Sequence, residues 1–177
     1  KDFLNDLEDS ISQNKNHYFG TVVMVSDPSN KLSKSKYSID IIDGQQRVTT
    51  SLLLVTAVYH LVKNDLSLIE DPETTPDTIR NRYLFNATID KNKIKLRTVN
   101  AEDQILQRIF DADCDESRLN PKEKLSNLYQ VYSTFRNYLA GRKGIDKYVD
   151  GLEHFEVVAI TLDPDDDNPQ RVFESIN

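Results

Sequence analysis

The sequence predicts an α+β fold in which a small sheet is interrupted by a mostly helical segment. Two strand-like segments near the start of the chain, residues 18–25 and 37–42, are rich in β-branched and aromatic residues, and a similar segment recurs only near the end. Between them the apolar residues recur mainly at helical spacing. We therefore predict a core formed by residues 1–71 and 154–177, with a mostly helical insertion at 72–153.

The predicted core contains helices at both ends of its strands. Residues 3–11 carry apolar side chains at helical spacing, and the polar segment 27–36 has the residues of a loop joining two strands of a hairpin. Residues 45–62 are apolar almost all round, which predicts a helix central to the core. The third strand is predicted at 155–162, and Asn168-Pro169 has the N-cap and first-turn residues of a final helix.

The predicted insertion is a series of helices. We expect helices at 79–85, 102–110, 121–139 and 145–152, with a short alternating strand at 93–99. The long helix has one apolar stripe, formed by Leu125, Leu128, Tyr132, Phe135 and Leu139.

Composition excludes several classes of protein. The net charge of −7 argues against DNA binding through a broad basic surface, so any nucleic-acid contact should be local. Cys114 is the only cysteine, which excludes an internal disulfide and favours a reducing, cytoplasmic location. Because the sequence has one cysteine and only three histidines, a Cys/His metal cluster is not expected. The longest apolar stretch, residues 52–62, is too short to span a membrane.

The segment Asp43-Gly44-Gln45-Gln46-Arg47 carries the chemistry that stands out in this sequence. It lies between a predicted strand and a predicted helix, where the first helical N–H groups lack partners and the helix dipole adds positive charge. Glycine allows a sharp turn and close approach of a ligand, and arginine offers a planar fork of donors that matches phosphate oxygens. These features predict an anion site.

A purely structural interpretation of the same residues stays open at this point. Asp43 and Gln46 have the spacing of a capping box, in which Asp43 caps the helix and Gln46 reaches back to the N–H of Asp43. This alternative leaves Arg47 unexplained, because its charge lies against the positive end of the helix unless an anion offsets it.

Other polar residues have competing interpretations. We expect His17 at the surface, His60 packed or paired within the core, and His154 in a turn. The acidic run at 163–167 lacks the Gly and distal Glu of a calcium loop, which favours a solvated turn over a metal site. The basic stretch 91–97 fits either contact with a nucleic-acid backbone or a lysine-protected edge strand.

The stretch Ile41 to Thr50 (IIDGQQRVTT) resembles the signature of the DGQQR-motif family, which forms the N-terminal part of GmrSD-type modification-dependent restriction systems. Two weaker matches lie in the family's order: residues 18–22 (YFGTV) and residues 172–177 (VFESIN). The resemblance implies a fold similar to ParB and sulfiredoxin. It also implies that this chain is a fragment, because the family's upstream Pro-x-x-Gln-Arg-x-Tyr segment and the Gly after the final Asn are missing.

The resemblance further implies an NTP-hydrolysing domain in defence against foreign DNA, with magnesium and an NTP as cofactors and a C-terminal nuclease domain as partner. Catalytic roles fall on Asp43, which positions the turn or helps to hold a metal or water, and on Arg47, which binds phosphate. Nucleotide contacts fall on Gly44, Gln45, Gln46, Arg47, Thr49, Glu174 and Asn177.

Two rival functions stay open. The first is a non-catalytic switch of the ParB type, in which nucleotide or DNA binding at the motif changes the state of a partner domain. The second is a protein-interaction domain that binds no nucleotide.

Overall fold

A computed structural model describes residues 2–33, 36–85, 95–98, 101–111 and 116–163. The predicted final helix, with Glu174 and Asn177, lies outside these described residues. Within them, the chain combines helices with a three-stranded mixed sheet, which confirms the predicted α+β class.

The sheet has the strand order β2-β1-β3, with β1 at His17–Ser33, β2 at Lys36–Asp43 and β3 at Phe155–Leu162. β1 pairs antiparallel with β2, as the hairpin prediction required, and parallel with β3. The predicted loop at 27–36 is wrong in extent, because backbone pairing continues as far as Ser33 opposite Lys36. Register shifts along this stretch let the pairing continue through residues that favour turns.

Two helices flank the β1–β2 hairpin in the chain: α1 at Asp2–Gln13 precedes it, and α2 at Gln45–Asn64 follows it. The prediction that α2 is central is confirmed, since its residues from Leu53 to His60 are all buried. Thr56 and His60, the polar residues in this run, are paired: Thr56 donates to the carbonyl of Leu52, and His60 lies 2.8 Å from the Tyr132 hydroxyl. These two hydrogen bonds offset part of the cost of burying the polar groups.

The segment after α2 is helical, as predicted; the helix predicted at 102–110 is found, whereas those predicted at 121–139 and 145–152 are divided or shorter. The α-helices are α3 (Pro76–Ile79), α4 (Ala101–Asp111), α5 (Pro121–Lys124), α6 (Asn127–Leu139) and α7 (Lys147–Gly151). A π-helical turn at Arg80–Leu84 extends α3, and short 3₁₀ turns lie at Leu66–Leu68, Glu116–Arg118 and Leu152–His154. Buried side chains of α2, α4, α6 and α7 form one cluster with Leu7 of α1. The division into core and insertion stays a prediction.

The single helix predicted at 121–139 is wrong: two helices, α5 and α6, meet at Leu125 and Ser126. The Ser126 hydroxyl accepts a hydrogen bond from the N–H of Tyr129, so it caps a new helix at this point. The break turns Leu125 out of the predicted stripe and leaves it 79% exposed.

The short strand predicted at 93–99 is also wrong over its described part, residues 95–98, which form no strand. Arg97 pairs with Asp103 in the first turn of α4 (Nε to Oδ1, 2.9 Å), and the N–H of Thr98 donates to the same carboxylate. Arg97 and Thr98 are thus tied to α4, while Lys95 donates to the backbone carbonyls of Arg82 and Leu84, so residues 95–98 do not form the predicted edge strand.

Candidate functional site

The junction between β2 and α2 is built around Gly44. β2 ends at Asp43, and Gly44 follows as the N-cap of α2 with φ +87° and ψ 5°, a left-handed conformation that favours glycine. A Cβ at Gly44 would lie 3.0 Å from the Thr21 carbonyl oxygen and 3.0 Å from Cγ2 of Val22. The turn therefore requires glycine for its conformation and for its close packing on β1.

The capping-box interpretation is wrong. Asp43 is the last residue of β2, paired with Val23, and Gly44 occupies the N-cap without a side-chain hydrogen bond. Gln46, which the capping box required to reach back, is exposed. The start of α2 is thus left without the side-chain cap that most helices use.

The remaining polar residues of the junction differ in their surroundings. The Gln45 amide donates to the carbonyl of Ile41 (Nε2 to O, 2.6 Å), which ties the helix start to the strand end. Both glutamines are exposed, whereas Thr49, one turn further along, is half-buried. No pattern in the sequence indicated that Gln45 has this local partner.

Arg47 lies against the central strand. Its Nη1 donates to the carbonyl of Thr21 (3.0 Å), and a Cβ built at Gly20 would lie 2.9 Å from its Nε and 3.0 Å from its Cζ. The guanidinium therefore covers the bare Cα of Gly20. This contact brings together the YFGT and DGQQR segments, which the sequence placed in order but did not place in contact.

One exposed apolar residue of the sheet, Val157, lies next to Gly20. Gly20 lies at a register shift between β1 and β3 and pairs with Val157, and cross-strand partners project to the same face. Val157 therefore lies on the face of Gly20 over which Arg47 lies, and its side chain is 47% exposed. No sequence signal marked Val157, because only the strand register brings it here.

Two features add positive charge at the start of α2, which also has the carboxylate of Asp43 one residue before its N-cap. The first turn of α2 contains no acidic residue, although acidic residues normally offset the positive end of a helix. It contains Arg47 instead, which adds a full positive charge. The five N–H donors of a guanidinium exceed the one hydrogen bond made to Thr21, so the group can hold β1 and a ligand together.

The other candidates lie outside this arrangement. His17 Nε2 lies 3.7 Å from Oδ2 of Asp6, and its ring packs against that of Phe155. His60 is buried against Tyr132, as predicted, and His154 lies in a 3₁₀ turn. Of the acidic run at 163–167, only Asp163 belongs to the described residues.

An acid-lined cavity of about 660 Å³ lies away from the junction, between α3 and α7. Burial, together with the charge of Asp146, raises the pKa of Asp150 in its wall. Among the residues described, no group of three or more His, Cys, Asp and Glu side chains is placed to hold a metal ion. The cavity is therefore not assigned to a metal.

The chain is an α+β domain in which a strand–helix turn joins an uncapped helix start to an arginine held on the central strand. The family described as GmrSD restriction endonuclease, N-terminal domain, matches this sequence over residues 1–177. The chain therefore belongs to that family and is a domain of a restriction system, which confirms the resemblance carried by the DGQQR segment. A comparison with curated proteins gave no match. Within the described part of the chain, none of the helices is long and apolar enough to cross a membrane.

Proposed function

We propose that this domain binds the phosphates of a nucleoside triphosphate at the start of α2 and hydrolyses the nucleotide to control DNA cleavage. The observation that carries the proposal is the pairing of Arg47 with an uncapped helix start: the guanidinium, fixed on Thr21, lies beside a positive helix end that has no acidic residue in its first turn. The backbone N–H groups after Gly44 and the guanidinium fork supply donors of the kind that phosphates accept.

The apolar surface beside Arg47 favours an organic anion over inorganic phosphate. Val157 is half-exposed on the same face of the sheet, and covering its apolar surface with a sugar or a base would stabilise a complex. A nucleotide joins charged phosphates to an aromatic base, so one ligand can contact both Arg47 and Val157.

Magnesium would enter this site with the nucleotide. Magnesium keeps several waters and commonly takes one or two protein carboxylates together with substrate phosphates. Asp43, the carboxylate of the junction, fits that requirement, since it immediately precedes Gly44 and is half-buried. Bound magnesium would neutralise phosphate charge, while Arg47 would stabilise the charge that develops during phosphoryl transfer.

Membership of the restriction family supports a link between this chemistry and DNA cleavage. Because the matched domain is the N-terminal one of a restriction endonuclease, we assign DNA cutting to a nuclease domain C-terminal to it. On this proposal, nucleotide turnover here switches that nuclease domain between inactive and active states. DNA contact through this domain would be local, because its net charge is −7.

The test is a panel of NTPs, each titrated calorimetrically into the full-length protein with and without magnesium, followed by measurement of phosphate release. Saturable binding with magnesium-dependent release supports the proposal. The absence of binding by every NTP in the panel contradicts it and leaves a protein-interaction domain.

One observation favours a second candidate, a non-catalytic switch. Arg47 already joins α2 to the central strand through Thr21, so a ligand that engages Arg47 also changes how firmly α2 is held on the sheet. Saturable NTP binding without phosphate release, but with a change in DNA cleavage, would favour this function over hydrolysis.

A further inference from the structure

We infer that Gly20 is a positioning residue for the proposed anion site, because the absence of a side chain at Gly20 leaves the space that the Arg47 guanidinium occupies. This inference rests on the proposed function for its ligand, a nucleoside triphosphate. Its geometric content concerns only Gly20, Arg47 and Thr21. Gly20 touches no substrate in this scheme and acts through Arg47.

Two features of β1 position the Arg47 guanidinium. The Thr21 carbonyl accepts from Nη1 at 3.0 Å and fixes one edge of the guanidinium. The Cα of Gly20 leaves room under the rest of the group, since a Cβ there would approach Nε to 2.9 Å, Cζ to 3.0 Å and Nη2 to 3.3 Å. Any side chain at position 20 must therefore displace the guanidinium or the strand.

The guanidinium is the part that would move. The atoms in the way belong to the end of a long, flexible side chain, whereas a Cβ at Gly44 would meet the backbone carbonyl of Thr21. A methyl group at Gly20 should thus dislodge Arg47, with added strain in the β1 backbone because φ there is +113°. A methyl group at Gly44 should instead disturb the junction itself.

The local backbone also depends on Gly20. Its φ is +113°, in the region that favours glycine, and it lies at the register shift where β1 gains a residue relative to β3. The irregularity presents a bare Cα to α2. Bulges of this kind are often found beside functional sites, where they redirect a group.

The principal variant is Gly20→Ala, and Gly141→Ala is its matched control. Gly141 also has a positive φ, +75°, but nothing lies within 4 Å of a Cβ built there, so its variant introduces backbone strain without a collision. We expect Gly20→Ala to weaken NTP binding roughly 10-fold, the effect of losing one charge-assisted hydrogen bond to phosphate. Gly141→Ala should leave NTP binding unchanged, even if its melting temperature is as low as that of Gly20→Ala.

A double-mutant cycle tests whether Gly20 acts through Arg47. If it does, Gly20→Ala should weaken NTP binding in the parent protein but have no further effect in an Arg47→Ala background. Additive losses of affinity, or a Gly20→Ala protein that is folded and binds as the parent does, would overturn the inference.

A second measurement needs no ligand. In the parent protein, labelled at arginine for NMR, the Arg47 Nε–H signal should be that of an ordered side chain, and in Gly20→Ala it should become that of a mobile one. If the parent binds no NTP but its Arg47 signal is ordered and becomes mobile in Gly20→Ala, the proposed function fails and the positioning role stands. A mobile Arg47 in the parent would overturn the positioning role, even if Gly20→Ala does not fold.

Discussion

Replacing Arg47 by alanine should abolish most nucleotide affinity while leaving the domain folded. The structural loss is one hydrogen bond from a half-buried guanidinium to the Thr21 carbonyl, which costs about 1 kcal/mol of unfolding free energy. For a chain of this size that lowers the melting temperature by about 2–4 °C. The binding loss is larger, because two charge-assisted hydrogen bonds to phosphate at about 1.5 kcal/mol each amount to roughly a 100-fold increase in Kd.

The assay pairs calorimetric titration with NTP and thermal melting on the same preparation. Arg108→Ala is the control, since it removes another helical arginine that makes a short contact, 2.9 Å from its Nε to Oε1 of Glu123; Arg108 is more exposed than Arg47 and lies away from the α2 junction. Arg47→Lys should fall between the parent and Arg47→Ala, because lysine keeps the charge but loses the planar fork. An Arg47→Ala protein with native stability and unchanged affinity would refute the assignment of Arg47 to phosphate binding.

Three further changes test other parts of the structure. Asp43→Asn should keep NTP binding in the absence of magnesium but lose the gain that magnesium brings, as measured by titration with and without the metal. Asp146→Ala should lower the free energy of unfolding in urea by about 3 kcal/mol, because that buried carboxylate accepts from the N–H groups of Glu70 and Asp71, which would be left unpaired. Glu8→Gln should reduce the pH dependence of stability: the hydrogen bond from Tyr138 lowers the Glu8 pKa from 4.5, so its contribution is present above that pH and is lost as the pH falls through the lowered pKa.

The sequence predicted the elements whose pattern is long and regular. α2 and β3 were found at or within two residues of their predicted bounds, because a continuous apolar run or a β-branched run has few alternative structures. The helix predicted at 121–139 failed because its apolar spacing continues across Ser126, where the hydroxyl caps a new helix. Periodicity records which face is apolar, and it does not record where a polar side chain stops the backbone ladder.

The candidate site was predicted only in part. The segment from Asp43 to Arg47 was identified by residue types and by its place between a strand and a helix. The cap was assigned to Asp43, whereas the structure places it at Gly44, because β2 runs one residue further than the pattern predicted. A one-residue shift of that kind changes which side chain faces the helix N–H groups.

The sequence by itself determined the α+β class, the position of the DGQQR segment and the membership of a restriction-system family. Those properties follow from local patterns and from residue identities, which can be recognised along the chain without knowledge of which residues are in contact. Only the tertiary structure decided that the Arg47 guanidinium rests on Gly20, donates to Thr21 and lies on the face of Val157. These contacts join residues that are far apart in the chain, and they depend on the strand register and on a bulge, neither of which any single segment encodes.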